Sequence, residues 1–179
     1  KDIMEIRKNY INELKKISKS AYTTDKMPLN FRWIGFIAYA FPNAKIIHVK
    51  RDAMATCWSN YKTNFSKGGL AFAFDQIDIA EYYKLYEDLM DFWQKKFPEK
   101  IYELNYDKLT ENQELESRKI FNYLGLKWEN SVLEFHNNNR VVQTASNIQV
   151  RKKMYKGSSQ QWKKYKSWLQ PMLNNLKKN

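Results

Sequence analysis

The stretch Ile46-Ile-His48-Val-Lys-Arg51-Asp52-Ala-Met-Ala-Thr-Cys-Trp-Ser59 decides the fold. Ile46–Val49 is short, largely β-branched and uninterrupted, the pattern of a buried parallel strand. It ends in Lys50-Arg51-Asp52, and a helix capped by Asp52 is expected from there to about Phe65. In open α/β folds ligands bind beyond the carboxyl ends of strands, and a helix N-terminus there favours an anion. Arg51 stands at that spot, and Ser59 lies about two turns along the helix, near the same face. A guanidinium reaching forward and a hydroxyl reaching across can grip one phosphate. The competing reading is an Arg at a strand end in a surface salt bridge with Asp52 or a neighbour. Spacing alone leaves both open.

Working outward, residues 2–19 carry Ile3, Ile6, Tyr10, Ile11, Leu14 and Ile17 close to a period of 3.6, which predicts an amphipathic helix. A polar break at Ser20–Asp25 and Lys26-Met-Pro28 precede an apolar helix over about residues 30–41, and Pro42-Asn43 turns the chain. Downstream, a long helix spans roughly Ile77–Lys96 and Ile101–Asn105 forms a second buried strand. Glu114–Leu124 is a helix ending at Gly125. A short helix near Asn130–His136, an irregular Asn-rich stretch and a last helix over about Ser159–Asn175 complete the chain. The order predicts an α/β fold with a parallel sheet. Two strands make a poor sheet, so the expectation is an incomplete domain whose remaining strands lie upstream of Lys1 or come from another chain.

The chain has 179 residues, a length that fits one domain, and 43% apolar residues, too many for a disordered segment. One Cys excludes an intramolecular disulfide and a Cys-based zinc site, and no metal is implied. No long uncharged apolar run is present, so no membrane span is predicted. The five glycines allow neither a G-x-x-x-x-G-K-S/T nor a G-x-G-x-x-G pattern. Charge is lopsided. The net value is +12, and Glu134 is the last acidic residue; ten Lys and Arg follow it, all within the basic segment 140–179. Such a field implies an anionic partner: nucleic acid, a membrane surface or a phosphorylated small molecule.

His48-Val-Lys-Arg51-Asp52 with Ser59 eight positions after the Arg resembles the 3'-phosphate-binding segment of the sulfotransferase superfamily, whose donor is 3'-phosphoadenosine-5'-phosphosulfate. Three further segments are similar, in the same order. Thr24-Asp-Lys26-Met-Pro28 resembles the Asn-Lys-x-Pro stretch of tyrosylprotein sulfotransferases. Ile101-Tyr-Glu-Leu-Asn-Tyr106 looks like the family's second strand. Val142-Gln-Thr-Ala-Ser146 through Arg151-Lys152-Lys-Met-Tyr-Lys156-Gly-Ser-Ser-Gln-Gln-Trp162 is similar to the C-terminal segment of tyrosylprotein-like enzymes, including bacterial ones linked to helical repeats. The resemblance implies a P-loop-like parallel-sheet fold and transfer of a sulfonate to a hydroxyl or amine, the acceptor being a protein tyrosine, a carbohydrate or a small molecule. By position it implies that Arg51 and Ser59 hold the 3'-phosphate, with Arg151, Lys152 and Lys156 nearby, and that Tyr106 packs near the adenosine. Lys26 and Ser146 are implied at the departing oxygen, as stabiliser and orienter.

The departures are equally informative. No Arg-Ser-Gly-Thr turn for the 5'-phosphosulfate is present, nor the Glu or His base that follows it in relatives. Gln161 stands where tyrosylprotein relatives place a Lys before Trp162, and Arg151-Lys152-Lys153 only approximates an Arg-Lys-Gly loop. The segment therefore carries the 3'-phosphate half of a donor site without the sulfonate half, and the implied missing strands predict self-association through an exposed sheet edge. The competing class is a basic nucleic-acid-binding module, built on the charged tail and the 16% aromatic content. Plain structural roles are expected for His48 (packed in the strand), His136 (a cap or surface residue), Cys57 (a buried small hydrophobe), and Trp162 and Trp168 (anchors of the last helix). Tyr82, Tyr83, Leu85, Tyr86, Leu89, Phe92 and Trp93 are expected to form core.

Overall fold

The computed structural model describes residues 2–65, 70–138 and 149–177. In chain order the helices and strands are α1 (Ile3–Ile17), α2 (Ile34–Ala40), β1 (Ile46–Lys50), α3 (Ala53–Tyr61), α4 (Gln76–Lys96), β2 (Ile101–Asn105), α5 (Tyr106–Glu111), α6 (Gln113–Leu124) and α7 (Gln170–Lys177). Tighter 3₁₀ turns cover Pro28–Trp33, Ala71–Phe74, Asn130–Asn137, Gln149–Arg151 and Ser158–Trp168. The two strands pair in a small parallel sheet within an otherwise helical α/β fold. Among the described residues no helix is long and apolar enough to cross a membrane. The chain divides into two compact units, Lys1–Ile46 with Leu85–Ile101, and Ile47–Lys84 with Tyr102–Asn179.

In the first unit α1 starts where Asp2 accepts from the Met4 amide, and it packs on α2. None of its side chains is fully buried: the apolar stripe forms, but Ile6 and Ile17 remain exposed. The core of this unit is Ile34, Met90 and Ile101, surrounded by Phe31, Ile46, Tyr86, Trp93 and Phe97. Trp93 meets its polar requirement by donating Nε1–H to the Phe31 carbonyl at 2.9 Å. Truncating Met90 to Ala in such a setting costs about 2–5 kcal/mol.

In the second unit α3 is the central element, packed against Ala71–Phe74, Ser158–Trp168 and α7. Its buried side, Met54, Ala55 and Cys57, is made of small or flexible side chains, which lets neighbouring backbones approach closely. The Cys57 thiol is buried against the Ile79 carbonyl, the structural role expected of it. Asp52 caps α3 through the Ala55 amide at 2.7 Å, Asn105 caps α5 and Asn112 caps α6. At the far end of α6, Gly125 adopts φ 69°, and the Leu126 amide reaches back to the Phe121 carbonyl at 2.9 Å. This left-handed C-terminal turn is why the helix stops there.

Several elements differ from the sequence reading. Both strands form, yet β1 is not buried on both faces: Ile47 and Val49 are exposed while the alternating Ile46, His48 and Lys50 are partly covered. Successive side chains point to opposite faces of the sheet, and the face that carries Ile47 and Val49 is left open. The helix from Asp52 ends at Tyr61 rather than near Phe65, where the Thr63 hydroxyl takes the Ser59 carbonyl at 2.7 Å. The expected helix over 159–175 is a 3₁₀ stretch followed by α7, because Pro171 restricts its predecessor and suits a first helical turn. On α4, Tyr83 is core, but Leu85 is 66% and Phe92 52% exposed, since a helix of this length covers only part of its circumference. Trp168 is 71% exposed; Leu169, Met172 and Leu173 hold the C-terminal helix instead, and Trp162 is half-buried.

Candidate functional site

The junction between β1 and α3 builds a cleft in the second unit. Asp52 spends its carboxylate on the helix cap, so it is not the partner of Arg51, and the surface salt-bridge reading fails. Arg51 is held otherwise. Its backbone carbonyl accepts from the Tyr83 hydroxyl at 3.4 Å, its Nε donates to Ser159 Oγ at 2.9 Å, and its guanidinium carbon sits 5.2 Å from the centre of the Tyr106 ring. No carboxylate pairs with it among the described residues. With Nε committed, the two terminal nitrogens are the groups left to bind an anion in a two-pronged fashion.

Ser59, Ala55, Trp58 and Lys62 bring the wall of α3 into the same cleft; Tyr106 closes one side, and Tyr155, Ser158 and Gln161 the other. No Asp or Glu lines it among the described residues, whereas Arg51 and Lys62 both do. Ser158 Oγ is buried and has no hydrogen-bond partner among the described residues. A buried hydroxyl without a partner costs roughly 1–3 kcal/mol. Trp58 stacks at a tilt on Tyr165 with ring centres 4.8 Å apart, and the Lys62 ammonium lies 6.0 Å from the Trp58 ring. The cleft thus offers two cations, several hydroxyls and aromatic walls. This donor set fits a phosphorylated ligand bearing a planar group.

The residues singled out in sequence are distributed unevenly. Arg51, Ser59 and Tyr106 meet in the cleft. Arg151 closes the Gln149–Arg151 turn, and it, Lys152 and Lys156 are exposed and do not line the cleft. Their segment contributes Tyr155, Ser158 and Gln161 instead. Lys26 is exposed in an extended stretch of the first unit, next to Asp25, whose carboxylate accepts a 2.5 Å bond from Tyr10. Ser146 lies outside the described residues. Lys62 and Trp58 were missed, although Lys62 follows Ser59 by three positions and Trp58 by four, a helical spacing that was a readable signal. Ser158 and Ser159 lie inside the C-terminal segment that carried the resemblance, and Gln161 stood out there as a departure, but no role was assigned to them, because their place depends on packing a distant segment against α3.

His48 is packed, as expected, with Nδ1 at 3.7 Å from a Glu103 carboxylate oxygen. Burial pushes its imidazole below the ordinary value, Glu103 opposing and Lys50 reinforcing the effect. It lines neither the cleft nor, among the described residues, any cluster of metal-binding groups. His136 stands in the last turn of Asn130–Asn137, half-buried with its ring edge-on to Phe135, so it is not fully at the surface.

The model of the sulfotransferase family matches residues 3–130. The chain belongs to the sulfotransferase family, a class whose chemistry is sulfonyl transfer. It is also similar to a protein of Aquifex aeolicus (strain VF5) described only as an "Uncharacterized protein", with 39% identity over 170 residues, which is 93% of this chain. The match spans 22% of that relative's length.

Proposed function

We propose that the cleft binds the 3'-phosphate and adenosine of 3'-phosphoadenosine-5'-phosphosulfate, as part of an enzyme that moves a sulfonate to a hydroxyl or amine. The observation that carries this reading is Arg51: a guanidinium fixed at Nε and over an aromatic ring, with no carboxylate pairing it and no acid lining its cleft among the described residues. Arg51 grips the phosphate with its two terminal nitrogens, and the Ser59 hydroxyl adds a neutral donor. Tyr106 offers its ring to the adenosine. The exposed Arg151, Lys152 and Lys156 supply general positive field rather than direct contacts. Lys26 and Ser146 act at the oxygen that departs from the sulfonate, and the subtype is tyrosylprotein-like with a tyrosine, carbohydrate or small-molecule acceptor. The bound donor supplies the sulfonate; this chain supplies binding and orientation.

Calorimetry with adenosine 3',5'-bisphosphate and adenosine 5'-monophosphate tests the reading. The bisphosphate is expected to bind at least tenfold more tightly, the return on about one charge-assisted contact. Equal affinities would overturn it.

A second reading has one observation in its favour. Lys163, Lys164 and Lys166 alternate with Tyr165 and Trp168 along an exposed stretch, an arrangement suited to single-stranded nucleic acid. Nucleic-acid affinity through this stretch would fall steeply with salt, whereas nucleotide affinity in the cleft would fall less.

A further inference from the structure

Resting on the nucleotide reading, we infer that Ser159 is a positioning residue of the anion site: its hydroxyl fixes the Arg51 guanidinium so that the two terminal nitrogens face the ligand. Ser159 is 1% exposed and lies 108 positions from Arg51 in sequence, beyond the part of the chain matched by the family model. A hydroxyl buried this completely costs free energy unless it is bonded. Its one side-chain hydrogen bond among the described residues is the 2.9 Å contact to Arg51 Nε. The bond occupies Nε, and with it the side-on fork, and leaves the end-on fork of the two terminal nitrogens without a partner among the described residues. It also sets the roll of the guanidinium plane, which the Tyr106 ring at 5.2 Å does not fix by itself.

The local backbone explains how Ser159 arrives there. Gly157 takes φ 81°, a left-handed turn open to glycine, and the 3₁₀ stretch that begins at Ser158 packs on α3. The same turn places the neighbouring residue Ser158 in the cleft lining.

The test uses Ser159→Ala and Ser159→Cys, the latter filling the same buried volume with a poor acceptor. Each is made alone and with Arg51→Ala. Calorimetry with adenosine 3',5'-bisphosphate is expected to show a loss of about three- to tenfold for either Ser159 variant alone. No further loss is expected once Arg51 is gone, because the serine acts through the arginine. Amide and guanidinium NMR of the free protein gives a readout that needs no ligand: the Arg51 Nε–H should exchange slowly in wild type and rapidly in Ser159→Cys. Equal losses with and without Arg51, or an unchanged Nε–H exchange rate, would overturn the positioning role. A wild type that binds bisphosphate and monophosphate equally would overturn the nucleotide reading beneath it, and the exchange rate would still report whether Ser159 holds Arg51.

Discussion

At the end of β1 Arg51 is tied to Tyr83, Ser159 and Tyr106, whereas Lys26, the other cation singled out for chemistry, extends into solvent without a hydrogen bond or ion pair among the described residues. Both are cations next to an aspartate, and both aspartates are occupied elsewhere, Asp52 by a helix cap and Asp25 by the Tyr10 hydroxyl. The difference lies in prior ordering. A fixed guanidinium gives up little freedom when an anion arrives, while a free lysine gives up about 1.5–2 kcal/mol of rotamer entropy. Affinity should therefore reside at Arg51, and Lys26 should matter only where charge develops during transfer.

The largest effect that tests this contrast is Arg51→Ala, which should weaken adenosine 3',5'-bisphosphate by roughly 10- to 100-fold. Isothermal calorimetry reads it, and a change below threefold would remove the basis for calling Arg51 the preorganised partner. Next comes Tyr106→Ala, expected to cost about tenfold through loss of base stacking and of the ring beneath Arg51, with Tyr106→Phe close to wild type. If Phe is as damaging as Ala, the hydroxyl rather than the ring is the contact.

Lys26→Ala should alter the affinity for the same nucleotide by less than about threefold, as expected of an exposed side chain with no fixed geometry. A loss matching that of Arg51→Ala would erase the contrast between the two regions. The smallest effect concerns the anchor beside Lys26. The Tyr10 hydroxyl is pushed up to about 12, chiefly by its hydrogen bond to Asp25, then by burial and by the carboxylate charge. Because the folded value lies above the ordinary 10.0, the bond contributes fully below about pH 10, and its contribution is lost as pH rises through about 12. Ultraviolet titration of tyrosinate should show a component near pH 12 that is missing in Tyr10→Phe and shifted down in Asp25→Asn. A component lost in Tyr10→Phe that titrates near the ordinary 10.0 instead of near 12 would show that the bond does not form in solution.

How much of this was legible in the sequence depends on how local the signal was. Ile101–Asn105, the Asp52 cap and the Gly125 stop are decided by a few adjacent residues, and they stand where the pattern put them. Helix α5 was not anticipated, because Asn105 serves at once as the last strand residue and as the helix cap. The open face of β1 could not be read either, since Ile47 and Val49 carry the same β-branched signature whether or not something covers them. In the site, Arg51, Ser59 and Tyr106 were accessible through motif spacing. Ser158, Ser159 and Gln161 fell inside the C-terminal segment of the resemblance, but their roles were not readable, because their contribution arises from tertiary packing of a segment about a hundred residues away. The basic residues Arg151, Lys152 and Lys156 drew attention by charge, yet the neutral side chains between and after them reach the cleft.

The central claim is that Arg51 reads a 3'-phosphate, and one four-cornered calorimetric comparison tests it most directly: wild type and Arg51→Ala, each with adenosine 3',5'-bisphosphate and adenosine 5'-monophosphate. The account predicts that the substitution weakens the bisphosphate by roughly 10- to 100-fold and leaves the already weak monophosphate nearly unchanged. Equal weakening of both nucleotides would contradict it, because Arg51 would then supply only a general positive field.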